Sequence, residues 1–327
     1  MKRTLYLALA VGIGLFVALI AYNGGTQVAA AVAAAGWGLA WVTLFHLVPL
    51  ALDTAGWWGL GRVRRLSFPA VALARWIGES VNNLLPVGQI GGNLVRARLV
   101  AGDGLPGVEA GATVVVDLTL TVLTQLLFTL LGLALFLFRL GGAAVTTEVL
   151  TGVVLGAAAL LGFYIAQRRG LFTLLARLLE GVAGGRAWLS LVGGAVALDE
   201  EVVRLYGGRG AVARSAALHL AAWIAGAGEV WLALRLLGHP VGWGGAIILE
   251  SLGQAVRSSA FAVPGALGVQ EGGFLLLGRM LGLTPEIALA VSLVKRVREL
   301  ALGLPGLVAW PVAERSRQAA DGAEVEG

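Results

Sequence analysis

Long apolar stretches separated by short polar segments dominate the sequence. Runs of about 20 apolar residues recur along its whole length, and each is long enough to cross a hydrocarbon core of ~30 Å as a helix. The pattern predicts an all-α polytopic membrane protein. Its six predicted transmembrane helices are Thr4 to Tyr22, Val28 to Leu50, Val108 to Phe138, Glu148 to Ala166, Ala211 to Leu237 and Glu286 to Trp310.

Two further apolar stretches are interrupted in the middle and do not fit a simple crossing. Residues 70–105 are broken at residues 85–92, and residues 241–283 are broken at residues 263–268, where proline and glycine cluster. Because proline ends a helix and glycine permits a turn, each stretch predicts a re-entrant helical hairpin. Broken backbone at membrane depth is tolerated only where it lines a cavity or is buried in protein.

Composition and charge support a bilayer rather than water as the solvent. Of the 327 residues, 58% are hydrophobic and 13% are charged, against roughly 25% charged residues in soluble domains. The net charge of +5 could suggest nucleic acid, but the basic residues lie in loops on one side of the predicted topology. The positive-inside rule therefore predicts cytoplasmic N- and C-termini and no nucleic-acid partner. The first span also fits a cleavable signal peptide, although its removal would spoil this topology.

The two halves of the sequence correspond to each other. The spacing from Pro86 to Asp117 is nearly that from Pro264 to Arg296. Since the two hairpins enter from opposite sides, the halves predict an inverted-topology repeat with a binding site near the midplane. Chance spacing in a glycine- and alanine-rich chain is the alternative. The predicted divisions are a transmembrane domain at 1–313, repeats at about 1–140 and 148–313, a cytoplasmic insertion at 167–210 and a polar C-terminal tail at 314–327.

The insertion carries apolar residues at helical spacing, among basic residues. This pattern suits one or two helices on the cytoplasmic surface, where basic side chains meet anionic lipid. A linker packed under the helix bundle fits it equally well.

Polar residues recur at helical spacing ahead of each break. Charges at the centre of a bilayer cost about 2.5 to 3.5 kcal/mol on insertion scales, so these polar stripes should face each other or water. They therefore predict a central polar cavity. Opposite signs at corresponding positions also predict two pairs across the pseudo-two-fold axis, Glu79 with Arg257 and Asp117 with Arg296. The stripes are Arg75, Glu79, Asn82 and Asn83 in the first half and Glu250, Gln254, Arg257 and Ser258 in the second.

The first break leads into a helix whose free N–H groups, followed by Arg96, favour an anion such as phosphate. In the second hairpin Glu271 would attract a cation or proton, or pair with an arginine of the first half. Buried pairs that hold the bundle together are the alternative for all these charges. The predicted substrate-binding and transport residues are Glu79, Asn82, Asn83, Pro86, Gly88, Gly91, Gly92, Arg96, Asp117, Glu250, Arg257, Pro264, Gly265, Gly268, Glu271 and Arg296.

The sequence gives little support for a metal site, a cofactor site or a catalytic site. The sequence has no cysteine and three dispersed histidines, which predicts no metal site and no cofactor. His46 and His219 are isolated and are predicted to be structural. Only Glu250 with Glu271 offers a weak carboxylate pair, so we do not expect an enzyme.

The motifs 79–86 (ESVNNLLP), 115–117 (VVD), 264–271 (PGALGVQE) and 295–300 (KRVREL) resemble those of a known family. They are similar to the flippase-like family named for the transmembrane region of bacterial lysylphosphatidylglycerol synthases, and most similar to its subgroup associated with hopanoid biosynthesis. The resemblance implies a multi-pass protein of the bacterial inner membrane that moves or binds a lipid. Bifunctional members carry a soluble aminoacyl-transfer domain after this region; from the short stretch after Trp310 we do not expect aminoacylation.

We therefore expect a lipid transporter or flippase for an anionic phospholipid or an isoprenoid- or hopanoid-linked lipid. The predicted partners are the membrane lipid itself and lipid-biosynthesis enzymes. Arg96→Ala or Arg296→Ala should abolish transport and leave the protein folded. The alternative hypothesis is a scaffold that does not transport but recruits lipid-modifying enzymes through the insertion.

Overall fold

Helices make up the described part of the chain. The computed structural model describes residues 35–85, 91–139, 161–178, 186–260 and 263–325, with isolated positions before residue 35 and at residue 158. Within these ranges every regular element is a helix, which confirms the predicted all-α class.

The helices are numbered here in chain order, with short 3-10 turns at Gly61–Arg65 and Pro264–Ala266. Their bounds are α1 Gly38–Phe45, α2 Leu47–Trp58, α3 Phe68–Leu84, α4 Gly91–Gly102, α5 Gly107–Arg139, α6 Leu171–Leu178, α7 Arg186–Gly207, α8 Arg209–Leu236, α9 Trp243–Ser259, α10 Val269–Met280 and α11 Pro285–Val325.

Three described stretches are long and apolar enough to cross a membrane. They are Gly38–Trp58, which joins α1 and α2, then α5 and α8. The last two match predicted spans closely, and the first lies somewhat later in the chain than its prediction. The predicted span Thr4 to Tyr22 and most of Glu148 to Ala166 lie outside the described residues.

The last predicted span is the first part of a much longer helix. α11 continues without interruption through Pro305 and Pro311 to Val325. It therefore includes most of the predicted polar tail.

Both interrupted stretches fold as pairs of packed helices. α3 packs on α4, and α9 packs on α10. α3 ends at Leu84, and the next residue, Leu85, has an extended backbone (φ −102°, ψ 145°), as expected for a residue before proline. Pro86 and Gly88 lie outside the described residues. In the second break Gly265 and Gly268 have positive φ of 62° and 78°, a conformation that glycine adopts without strain.

The backbones of α3 and α4 touch. A Cβ atom on Gly92 would overlap the carbonyl oxygen of Gly78, and one on Gly78 would overlap the side chain of Arg96. Small residues at such a contact let two membrane helices approach closely. Gly92 therefore has a packing role that is independent of any ligand.

The insertion packs against the first half of the protein. Val202 and Leu205 of α7 are buried in the same apolar cluster as Trp57 and Leu99. Beside them the buried Gln167 accepts a hydrogen bond from the Tyr206 hydroxyl at 2.7 Å. Residues 167–210 thus contain the helices α6 and α7, as the first interpretation predicted, and α7 packs on the bundle, as the second predicted.

Candidate functional site

A polar cavity of about 450 Å³ lies between the two halves. Its walls come from α2 to α5 of the first half and from α8, α9 and α11 of the second. The polar stripes of both hairpins thus face one cavity. This was predicted because charges are costly in lipid and should face each other or water. Its charged lining comprises the carboxylates Asp53, Glu79, Asp117, Glu229, Glu250 and Glu299 and the guanidinium groups of Arg75, Arg96, Arg257 and Arg298.

The cavity brings together part of the predicted site. Glycines 92, 265 and 268 do not line it, and neither do Glu271 and Arg296. For the predicted site residues that do line the cavity, a role in substrate binding stays a prediction. The predicted site residues in the lining are Glu79, Asn82, Asn83, Arg96, Asp117, Glu250 and Arg257.

Asp117 is the centre of a buried charge cluster in the first half. Its carboxylate contacts Arg96 Nη2 at 2.8 Å, Arg75 Nη1 at 3.2 Å and His219 Nε2 at 2.9 Å. Arg75 also reaches Glu79 at 3.3 Å and Asp53 at 3.4 Å. Both helices of the first hairpin thus bind the Asp117 carboxylate of α5, α3 through Arg75 and α4 through Arg96.

Arg96 is the least satisfied cation of this cluster. Its guanidinium lies 4.5 Å from the ring centre of Trp57, an arrangement that favours a cation over an aromatic face. Its buried Nε has no hydrogen-bond partner among the described residues. Arg96 thus lines the cavity and keeps one buried N–H group unpaired among the described residues.

The N-terminal end of α4 is capped by the protein itself. The backbone N–H of Gly92 donates to Oδ1 of Asn82 at 2.8 Å. The prediction that the N–H groups of this helix end are free for an anion is therefore wrong at Gly92, because α3 supplies an acceptor across the close contact.

A second cluster holds the break of the second hairpin. Arg296 contacts Glu271 and Glu299, each at 3.1 Å, and donates to the carbonyl oxygen of Gly265 at 2.7 Å. Glu271 also accepts from the N–H of Gly268 at 2.7 Å and from the Ser292 hydroxyl at 3.0 Å. These contacts fasten both ends of the turn to α11.

The two clusters repeat one arrangement with the charges reversed. Asp117 on the long helix α5 is held by arginines of the first hairpin, including Arg96. Arg296, at the corresponding position of the long helix α11, is held by Glu271 of the second hairpin. This correspondence agrees with the internal repeat predicted from the sequence.

The predicted pairs across the pseudo-two-fold axis do not form among the described contacts. Glu79 pairs with Arg75 and lies 3.9 Å from His46, while Arg257 pairs with Glu299. Asp117 and Arg296 likewise bind partners in the clusters above. Each charge has a nearer partner, on its own helix or on a neighbouring one, so the prediction of direct cross-pairing is wrong.

Two histidines that the sequence indicated as structural take part in the central polar network. His46 lines the cavity, with Nδ1 2.5 Å from Glu229 Oε1, and Arg298 lies 3.4 Å from the same carboxylate. His219 contacts Asp53 and Asp117. Their partners are more than 100 residues away in the chain, so no local spacing could indicate them. Among the cavity residues that the predicted site lacked, Arg298 and Glu299 stood in the recognised motif at 295–300.

The sequence was compared with models of protein families, with curated proteins and with solved structures. The family model described as "Lysylphosphatidylglycerol synthase TM region" matches residues 5–306. A search of curated proteins and a search of solved structures each found no match.

Proposed function

Because the chain belongs to the lysylphosphatidylglycerol synthase TM region family, which suggests a membrane protein linked to lipid handling, we propose that it moves a polar-headed lipid between leaflets. The proposed substrates are an anionic phospholipid or an isoprenoid- or hopanoid-linked lipid, the latter following from the hopanoid-associated subgroup. The proposed setting is the bacterial inner membrane, with cytoplasmic termini, six spans and the two hairpins re-entering from opposite faces.

The observation that carries this proposal is the charged cavity lined by both hairpins. Its volume of about 450 Å³ falls within the usual range of small-ligand sites, roughly 300 to 1,000 Å³. A cavity of this size suits a headgroup and leaves the lipid tails outside. In the proposed mechanism the headgroup enters the cavity and the two halves rock to expose it alternately.

Exposed leucines occur along α5, and one of them lies at the cavity. Leu118 lines the cavity and is also exposed, and Leu123, Leu127 and Leu131 are exposed farther along the same helix. In a bilayer these leucines can contact acyl or isoprenoid chains while the headgroup lies inside. Gln125 donates to the Ser258 hydroxyl at 2.7 Å and to the Gln254 carbonyl oxygen at 3.4 Å, so hydrogen bonds join α5 to α9 at this cavity wall.

Arg96 is the group best placed to bind an anionic headgroup. The carboxylates in the lining are already engaged by basic partners; Glu250, for example, accepts from Lys295 at 2.5 Å. Arg96 lines the cavity with a guanidinium Nε that lacks an acceptor among the described residues, whereas the Nε of Arg298, which lacks one too, lies 3.4 Å from the Glu229 carboxylate. A phosphate oxygen that reaches the Arg96 guanidinium can accept from it, and charge-assisted bonds of this kind are about twice as strong as neutral ones.

The test uses the purified protein in liposomes of phosphatidylcholine and phosphatidylglycerol that contain NBD-labelled phosphatidylglycerol. Dithionite quenching reports how fast the labelled lipid crosses the bilayer. We expect exchange above protein-free liposomes for the wild type and its loss in Arg96→Ala. Asp117 keeps Arg75 and His219 in that variant, so it should stay folded.

Arg98→Ala is the matched control. Arg98 lies on the same helix, is largely exposed and pairs with Glu314 at 3.2 Å, so its loss should leave exchange intact. Wild-type exchange in Arg96→Ala would overturn the role of Arg96. If the wild type moves neither this lipid nor labelled polyprenyl phosphate or hopanoid, the transport proposal itself is wrong.

A further inference from the structure

His219 joins the two halves through carboxylates on both of its ring nitrogens. Nδ1 lies 2.5 Å from Asp53 Oδ1, and Nε2 lies 2.9 Å from Asp117 Oδ1. The histidine belongs to α8 in the second half, and the aspartates belong to α2 and α5 in the first. The ring is fully buried, so water cannot take the place of either partner.

Two such contacts need two protons. A neutral imidazole has one N–H donor and one acceptor nitrogen, and an ionised carboxylate can only accept. With a neutral ring between two carboxylates, one contact would bring two lone pairs together at hydrogen-bond distance. The observed geometry therefore requires one proton more than the neutral ring carries.

The surrounding charges place this proton on the ring. Arg75 of α3 contacts both aspartates, and Arg96 of α4 contacts Asp117. These guanidinium groups favour the ionised form of the carboxylates.

The other elements packed on α8 contribute charges at a different level of the helix. On α8 itself, Ser215 lies one turn before His219, and Glu229 lies ten residues after it, which is about 15 Å along the helix. At that second level the side chains pair among themselves. They are Lys295 with Glu250, and His46 and Arg298 with Glu229.

His46 offers a direct comparison, because its contacts need no extra proton. Its Nδ1 faces a carboxylate oxygen of Glu229 at 2.5 Å, but its Nε2 faces Nη1 of Arg298 at 3.4 Å and is 3.9 Å from Oε2 of Glu79, beyond hydrogen-bond distance. A guanidinium only donates. A neutral ring with its proton on Nδ1 therefore satisfies both contacts of His46.

We propose that Asp53, His219 and Asp117 form a binding site for one transferable proton, and that this proton holds the two halves together. Asp53 lines the cavity and its side chain is 21% exposed, against 0% for His219. The proton leaves through Asp53: the ring N–H bond breaks, an O–H bond forms on the carboxylate, and the proton then passes to water in the cavity.

Release of the proton weakens the contact between the halves. The neutral ring keeps one hydrogen bond and places its other nitrogen against a carboxylate without a proton between them, which is costly in a buried site. The contact is therefore complete when the proton is bound and is lost as the pH rises. The further step, that this proton drives lipid movement, rests on the proposed function, whereas the proton site does not.

The proton site is tested by nitrogen NMR of protein labelled with ¹⁵N-histidine in nanodiscs. The chain has three histidines, and loss of a signal in His219→Asn assigns that ring. We expect two protonated nitrogens on His219 at neutral pH. In Asp53→Asn we expect one, because an amide N–H can donate to the ring and removes the need for a second proton. A single protonated nitrogen in the wild type would overturn the proposal.

Coupling is tested in the NBD-phosphatidylglycerol liposomes with an imposed pH difference. We expect the gradient to change the exchange rate of the wild type and of His239→Asn, a control at an exposed histidine, and to have no effect on His219→Asn. A gradient response that survives in His219→Asn, or is missing in the wild type, would overturn the coupling. Absence of any exchange would overturn the proposed function, while the NMR result still decides the proton site.

Discussion

Arg257 of the second hairpin donates through Nη2 to the side-chain oxygen of Asn83 in the first hairpin, at 3.2 Å. Gly265, in the turn of the second hairpin, lies beside the carbonyl oxygen of the same asparagine. The end of α3 therefore meets the break of the second hairpin next to the cavity. This is where an inverted repeat of broken helices is expected to place its binding site.

The contact between the hairpins predicts an energetic coupling between Asn83 and Arg257. Asn83→Ala removes one hydrogen bond from the guanidinium, which keeps Gln270 and Glu299, so we expect a loss of about 1 kcal/mol in unfolding free energy. A double-mutant cycle with Arg257→Lys, measured by denaturant unfolding in detergent, should give a coupling of about 0.5 kcal/mol or more. Strictly additive effects would show that the two hairpins do not depend on each other at this point.

The close contact of α3 and α4 predicts that Gly92→Ala is destabilising. The added methyl group would press on the backbone at Gly78, and overpacking of this kind costs about 1 to 3 kcal/mol. Gly272→Ala is the control in the other hairpin, because a Cβ atom there meets nothing within 4 Å. Alanine should be neutral or stabilising by up to about 1 kcal/mol at that helical position. Thermal unfolding of both variants checks the difference, and equal melting temperatures would contradict it.

The structure changes the expectation for Arg296→Ala. Glu271 would keep only the hydrogen bonds from Ser292 and Gly268 and would become a buried carboxylate without a cation. Breaking a buried ion pair in this way costs about 3 to 5 kcal/mol. We therefore expect Arg296→Ala to lower stability strongly, in contrast to Arg96→Ala.

Yield after size-exclusion chromatography and denaturant unfolding measure this effect. Arg279→Ala, at an exposed position of α10, is the control and should change the unfolding free energy by no more than about 0.5 kcal/mol. A folded Arg296→Ala of normal stability that has lost lipid exchange would instead support the sequence-based expectation of a direct role in transport.

The packing of the insertion predicts that Tyr206→Phe weakens the fold. The variant removes the hydroxyl that donates to buried Gln167 at 2.7 Å and leaves its oxygen only the longer contact from Thr119 at 3.3 Å, which should cost about 1 kcal/mol. Tyr164→Phe removes a hydroxyl with a weak contact to Arg168 at 3.5 Å and should be nearly neutral in the same unfolding measurement.

For the scaffold hypothesis, deletion of residues 167–210 is therefore a poor test, because it removes buried side chains from the core. Substitution of Glu200, Val203 and Arg204, which are exposed on α7, leaves the core in place. Loss of enzyme recruitment in that variant, with normal lipid exchange, would favour the scaffold role. Unchanged recruitment would count against it.

Local features of the chain were open to prediction from the sequence. α5 and α8 follow from hydropathy and length alone, because a bilayer demands about 20 apolar residues in a row. The break after α9 follows from Pro264 and Gly265, since these residues act on their own backbone. The polar stripes of α3 and α9, and hence the cavity, follow from helical periodicity together with the cost of a charge in lipid.

The choice of partners required the tertiary structure. Glu79 pairs with Arg75 rather than Arg257, and His219 bridges Asp53 and Asp117 from the other half of the chain. Periodicity states which face of a helix is polar, but not how far that helix is rotated or shifted against its neighbours. A hydrogen bond depends on a few tenths of an ångström. The sequence by itself therefore determined that this protein has a polar centre within an apolar helical body, and only the packing of the helices decided which charges meet there and where a proton can bind.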